Sequence, residues 1–123
     1  MIRDPLTEEV IGAAIEVHTH LGAALLESVY EECLCHELAL KNLSFQRQVS
    51  QPIQYKGLHL DCGFRLDILV EDKLIIEVKA VERLLTVHQA QLITYLKVAG
   101  IPTGLLINFH VAHLRQGIRR LHS

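Results

Sequence analysis

The stretch FRLDILVEDKLIIEVKA, residues 64–80, reads as two strands around a polar break at Glu71-Asp72-Lys73. Side chains alternate between the faces of a strand. A turn centred on Asp72 puts Asp67 opposite Glu77 and Arg65 opposite Lys79. One face of this hairpin then carries Leu66, Ile68, Val70, Leu74, Ile76 and Val78, all apolar, and is expected to join the core. The other carries Arg65, Asp67, Leu69, Ile75, Glu77 and Lys79. Its four charged residues gather at one end. A hairpin that needs only stability and solubility spreads its charges, so this cluster suggests a site.

Working outward, helical spacing before the hairpin predicts two helices. The first runs from about Leu6 to His20, with Val10, Ile11, Ala14, Ile15, Val17, His18 and Leu21 on its apolar side. Asp4 is placed to cap it, Pro5 opens it and Gly22 closes it. The second runs from Leu25 or Leu26 to about Lys41 on Leu26, Val29, Tyr30, Cys33, Leu34 and Leu38. The period then changes. A strand is expected at Phe45 to Tyr55, broken at Pro52. Another is expected from Leu58 through Val70, with a bulge at Gly63. After the hairpin, a helix from about Thr86 to Ala99 is stopped by Gly100 and Pro102. The apolar run Thr103 to Phe109 reads as a buried strand. The tail from Ala112 to Leu121 is read as a final helical turn or two. The order is helix, helix, three strands, helix, strand. It predicts an α/β domain spanning residues 1–123, in which a small mixed sheet, an antiparallel three-strand meander plus one crossover strand, is flanked by helices.

Half of the 123 residues are hydrophobic and mean hydropathy is +0.24. A chain of this length buries roughly two-thirds of its unfolded surface on folding. No apolar run approaches the ~20 residues that span a bilayer, and the start Met1-Ile2-Arg3-Asp4-Pro5 has no apolar signal segment. A cytoplasmic setting, with no membrane partner, is the expectation. A net charge of −2 and a pI near 6.4 argue against a broad basic nucleic-acid surface. The tail arginines Arg115, Arg119 and Arg120 form the densest basic patch and read as a solvated face. Cys33, Cys35 and Cys62 have no C-x-x-C spacing, so free thiols are expected rather than disulfides or a zinc site. The eight histidines are scattered without H-E-x-x-H spacing.

An acid before a strand turn and E-x-K after it, in this order of elements, resembles the PD-(D/E)XK nuclease superfamily. The resemblance implies a restriction-endonuclease-like α-β-β-β-α-β core. Gln91-Leu92-Ile93-Thr94-Tyr95 gives a Q-x-x-x-Y on the helix after the E-x-K strand, like the RecB-like nuclease motif. The first part, LGAALLESVYEECL, is similar to the small GxxExxY family, with Glu27 and Tyr30 as its E-x-x-Y. One departure is plain: that family's glycine falls at Ala24.

The resemblance implies a metal-dependent nuclease hydrolysing phosphodiester bonds of DNA. The catalytic set would be Lys79, Asp67, Glu77, Gln91 and Tyr95. The ligands of Mg²⁺ or Mn²⁺ would be Glu27, Asp67, Glu77 and the Val78 carbonyl, an oxygen set that suits a hard cation. Lys79 shares a face with Glu77 and can orient the attacking water or stabilise phosphate oxygens. Arg65 is a candidate phosphate contact. A homodimer would suit so small a nuclease, and a protein partner would supply the grip on nucleic acid that the acidic chain lacks. One competing reading makes Asp67–Arg65 and Glu77–Lys79 surface ion pairs of little energetic weight; another, motivated by the acidic pI, the small size and Ala24, makes the chain a nuclease-fold binding or assembly module. Tyr30 and Tyr95 taken singly read as core packers with a satisfied hydroxyl.

Overall fold

Asp4 accepts hydrogen bonds from the Leu6 amide (3.2 Å) and the Thr7 hydroxyl (2.8 Å). With Pro5 behind this cap, the chain enters helix α1, Pro5–Leu21. The computed structural model describes residues 4–123. Gly22 ends α1 at a φ of 77°, a conformation that favours glycine. Helix α2 follows at Glu27–Leu40, then strands β1 (Phe45–Tyr55), β2 (Leu58–Val70) and β3 (Leu74–Lys79), helix α3 (Thr86–Ala99) and strand β4 (Thr103–Asn108). Each lies within a residue or two of its expected span.

The tail departs from expectation. A single 3-10 turn at Leu114–Gly117 leads into a fifth strand, β5, at Ile118–His122. β5 pairs antiparallel along β4 from Thr103–His122 to Ile107–Ile118. β4 is buried along almost its whole length, so its outer edge needs backbone partners that a helical tail would not supply.

The sheet order is β1-β2-β3-β4-β5. Every pairing is antiparallel except β3–β4, which α3 joins as a crossover. Helices α1 and α2 cover one face, where Val10, Leu34 and Leu38 pack with Ile68, Val70, Leu74, Ile76, Val78 and Ile107. Helix α3 covers the other, where Leu92 and Leu96 pack with Ile75 and Leu106. The mixed α/β class is as expected.

The β2–β3 register is also as expected, with Ile68–Ile76, Leu69–Ile75 and Val70–Leu74 as partners. The single apolar face needs correction. Leu66 packs with Leu92 and Leu96 on the α3 side, while Ile68 and Val70 pack on the α1–α2 side. β1 changes sides at the same level, with Phe45 against the α1–α2 cluster and Val49 against the α3 cluster. The β1–β2 ribbon turns over between the pairs Arg47–Ile68 and Val49–Leu66. The residues between them are Gln48 and Asp67. Gln48 has a φ of 51° in the middle of a strand, and a left-handed residue breaks the alternation that the sequence reading assumed.

Further along, Gln51 pairs with Phe64 but Ile53 pairs with Leu60. Asp61, Cys62 and Gly63 therefore oppose Pro52 alone, a bulge where Gly63 was expected to mark one. A Cβ on Gly63 would lie 2.2 Å from Ile53 Cδ1, so the glycine leaves room for that side chain.

Candidate active site

The β2–β3 ladder stops at Ile68–Ile76. At the next position the two acids take the place of backbone partners. The Asp67 amide donates to Glu77 Oε2 at 2.9 Å, and the Val78 amide donates to Asp67 Oδ2 at 2.8 Å. Each carboxylate thus has one oxygen fixed by an amide and a second oxygen that accepts no hydrogen bond among the described residues. In a strand the N–H and C=O of one residue point the same way. The Val78 carbonyl therefore faces the gap that its amide enters. Three oxygen donors, from Asp67, Glu77 and Val78, border one opening between two strands.

The electrostatics are strained in one direction. Glu77 is only 5 % exposed. Burial, and then the charge of Asp67, push its carboxyl up to about 8, against a smaller pull from the Asp67 amide and Lys79. Asp67 is raised too, chiefly by burial, while the Val78 amide and Lys79 oppose the rise. Two carboxylates are held close in a poorly solvated gap with one lysine charge nearby.

Lys79 ends β3, partly buried, opposite Asn108 of the parallel β4. Its carbonyl accepts from the Phe109 amide at 2.9 Å. Asn108 is 1 % exposed and holds the chain just beyond the lysine. Its Oδ1 accepts from the Val81 amide at 3.0 Å, and its Nδ2 donates to the Val81 carbonyl at 2.8 Å.

Tyr95, on α3, stacks on Phe64 of β2, with ring centroids 4.1 Å apart and planes within 4°. Its hydroxyl is held above the usual phenol range by burial first, then by the charges of Glu77 and Asp67. The charges of the two acids are thus felt at α3. Gln91, one turn earlier on that helix, is exposed and makes no hydrogen bond among the described residues. Arg65 is exposed and pairs with Ser50 across β1–β2. The β2–β3 ladder ends before it, so the expected pairing with Lys79 is not formed.

Glu27 is the first residue of α2, exposed, and its charge is felt at Asp67 only weakly. Tyr30 stands apart from the acids. It stacks on Phe109 at 4.4 Å, donates to the Gly22 carbonyl at 2.6 Å and accepts from the Leu25 amide at 3.1 Å. That is the structural role expected for it alone. The backbone at Ala24 has no positive φ, so alanine sits there without strain.

Two residues beside the site escaped the sequence reading. Asn108 falls inside the run Thr103 to Phe109, which reads only as a buried strand. Glu31 lies one turn beyond Glu27 and is 7 % exposed. Its charge acts on both Asp67 and Glu77. The signal was present, since Glu31 falls on the stripe of Leu34, Cys35 and Leu38, where an acid needs partners.

A family model described as the PD-(D/E)XK nuclease superfamily matches residues 4–121. The chain belongs to this superfamily. Its members are generally nucleases, so nuclease-type chemistry is the frame for the Asp67–Glu77 gap. No curated protein matches the chain. One solved structure, titled "Crystal structure of SSO0001", aligns at 18 % identity and a TM-score of 0.43 over 98 % of this chain and 78 % of its own, too slight a likeness to argue from.

Among the described residues no group of three or more His, Cys, Asp or Glu side chains is gathered tightly enough to hold a metal ion. The donors at the gap nevertheless fit a hard divalent cation. All are oxygens, two are carboxylates, and each carboxylate keeps one oxygen that no donor among the described residues reaches. Among the described residues no helix is long and apolar enough to cross a membrane.

Proposed function

We propose that the protein is a divalent-metal-dependent nuclease acting on DNA, a single catalytic domain of the GxxExxY type within its superfamily. The observation that carries this reading is the reciprocal tie of Asp67, Glu77 and Val78. It fixes two carboxylates and one carbonyl around one gap, beside Lys79. Asp67, Glu77 and the Val78 carbonyl would hold Mg²⁺ or Mn²⁺, with Glu27 closing the set from α2. When bound, the cation would neutralise phosphate charge and acidify an attacking water.

The chain's own residues do the rest. The two amides keep the carboxylates pointed into the gap. Lys79, next to Glu77 on that face of β3, orients the attacking water or stabilises the phosphate oxygens. Tyr95, braced by Phe64, presents its hydroxyl toward the acids, and Gln91 and Arg65 are exposed for contact with phosphate. The three cysteines are all free, which suits a reducing cytoplasmic setting.

The test is cleavage of single-stranded, duplex and branched DNA with Mg²⁺ or Mn²⁺, with Lys79→Ala as control. Metal-dependent cutting that Lys79→Ala abolishes supports the reading. No cutting on any substrate favours the alternative, a nuclease-fold binding or assembly module, with which the net charge of −2 and Ala24 are in keeping.

A further inference from the structure

Five non-glycine residues have positive φ among the described residues. Asn42, Lys56, Glu71 and Asp72 sit in turns, where such conformations are ordinary. Gln48 alone sits inside a strand. A strained residue in a regular element persists only when its surroundings hold it there. The holder is visible. Gln48 Nε2 donates to both oxygens of Glu31, at 3.0 and 3.2 Å. The neighbouring Arg47 donates to Glu31 Oε2 from Nε at 3.1 Å and Nη2 at 2.9 Å. Both carboxylate oxygens of Glu31 are occupied by donors from β1, so in this arrangement Glu31 is a clamp on the strand and not a spare ligand.

The clamped residue is the one that would face Asp67. Arg47–Ile68 and Val49–Leu66 are ladder pairs, and the pair between them, Gln48–Asp67, is missing without any slip in register. The ribbon turns over at this level. Val49, Leu66 and Phe64 thereby come to the α3 side, and Phe64 can stack on Tyr95. On its other side Asp67 has left the backbone ladder and bonds to Glu77 and Val78. One buried carboxylate on α2 thus acts, through one left-handed residue of β1, on the backbone that carries both Asp67 and the support of Tyr95.

We infer that Glu31 is a positioning residue for the metal site: by holding Gln48 left-handed across from Asp67, it turns the β1–β2 ribbon and sets the Asp67–Glu77–Val78 gap. The inference rests on the cation reading of that gap, and its test separates the two. Mn²⁺ titration by calorimetry is run on wild type, Glu31→Gln, Gln48→Val, Gln48→Gly and the double variant Glu31→Gln/Gln48→Gly. Amide exchange of Asp67 and Val78 is followed by NMR without metal.

Supporting residues around metal sites typically alter affinity 10–100-fold when changed. Glu31→Gln should weaken Mn²⁺ binding about ten-fold and speed exchange of both amides. Gln48→Val, which keeps Glu31 but places a β-branched side chain at positive φ, should do the same. Gln48→Gly, which adopts positive φ without strain, should stay near wild type, and in the double variant it should recover most of the loss. Wild-type affinity and wild-type exchange in both Glu31→Gln and Gln48→Val would overturn the inference. A double variant no better than Glu31→Gln would also overturn it, because Glu31 would then act by some route other than Gln48. Wild type that binds no Mn²⁺ overturns the cation reading itself, and the inference with it.

Discussion

The backbone amide of Asp67 donates to the side chain of Glu77 at 2.9 Å, so the two acids are bonded to each other's strands where a ladder hydrogen bond would otherwise stand. With the Val78 amide on Asp67 at 2.8 Å, the pair is fixed in position before any ligand arrives. Geometry set in advance is what a site for a charged ligand requires.

Neutral substitutions at this pair should separate stability from function. Glu77→Gln keeps an acceptor for the Asp67 amide and removes a group that ionises only against burial and the charge of Asp67. The metal-free variant should match or exceed wild type in thermal denaturation, while Mn²⁺ affinity falls by at least ten-fold.

The pH dependence of stability carries a definite sign. Burial pushes the Glu77 carboxyl from 4.5 up to about 8 in the folded chain. Between those values the folded state holds a proton that the unfolded chain has released. Stability is therefore lost as pH rises through this window, on the order of 2 kcal/mol by neutral pH for a coupled pair. Denaturation in a chelator at pH 5, 6.5 and 8 should show that decline in wild type, and a flatter profile in Glu77→Gln.

Lys79→Ala should abolish cleavage, a loss of at least ~100-fold, while the protein stays folded and still binds Mn²⁺. The lysine lies at a strand end, partly buried, and its carbonyl rather than its side chain makes the bond to Phe109. Calorimetry and cleavage on one preparation check both halves.

On α3, Tyr95→Phe should keep the stack on Phe64 and lose only what the hydroxyl contributes, whereas Tyr95→Ala loses the stack as well. The difference in stability between the two should be about 1 kcal/mol or more. If the hydroxyl serves the reaction, cleavage falls in both.

Tyr30→Phe is the structural counterpart. It removes the bonds to Gly22 and Leu25 without touching the acids, so urea denaturation should show a loss of about 1–2 kcal/mol with Mn²⁺ affinity unchanged.

Much of this was legible in the sequence because the relevant periods are local. Gly100 and Pro102 bounded α3, Asp4 and Pro5 opened α1, and the Glu71–Lys73 break set the register that brings Asp67 to Glu77. The ribbon's turn-over was not legible. It depends on Gln48, a residue with no local preference for positive φ, held there by an acid 17 positions earlier. Leu66 was consequently placed on the wrong side. β5 was missed for a similar reason: Ile118 and Leu121 suit a helix by spacing, and only the open edge of β4 decides for a strand. Glu31 escaped notice because its partners Arg47 and Gln48 come from β1 and meet it only in the folded chain, where its burial needs them.

The most direct measurement is Mn²⁺ binding to the purified protein and to Asp67→Asn, read by electron paramagnetic resonance as loss of the free-ion signal. The account predicts saturable binding in wild type, and at least ten-fold weaker binding in a folded Asp67→Asn variant. Equal binding by the two proteins, or no binding by wild type, would contradict it.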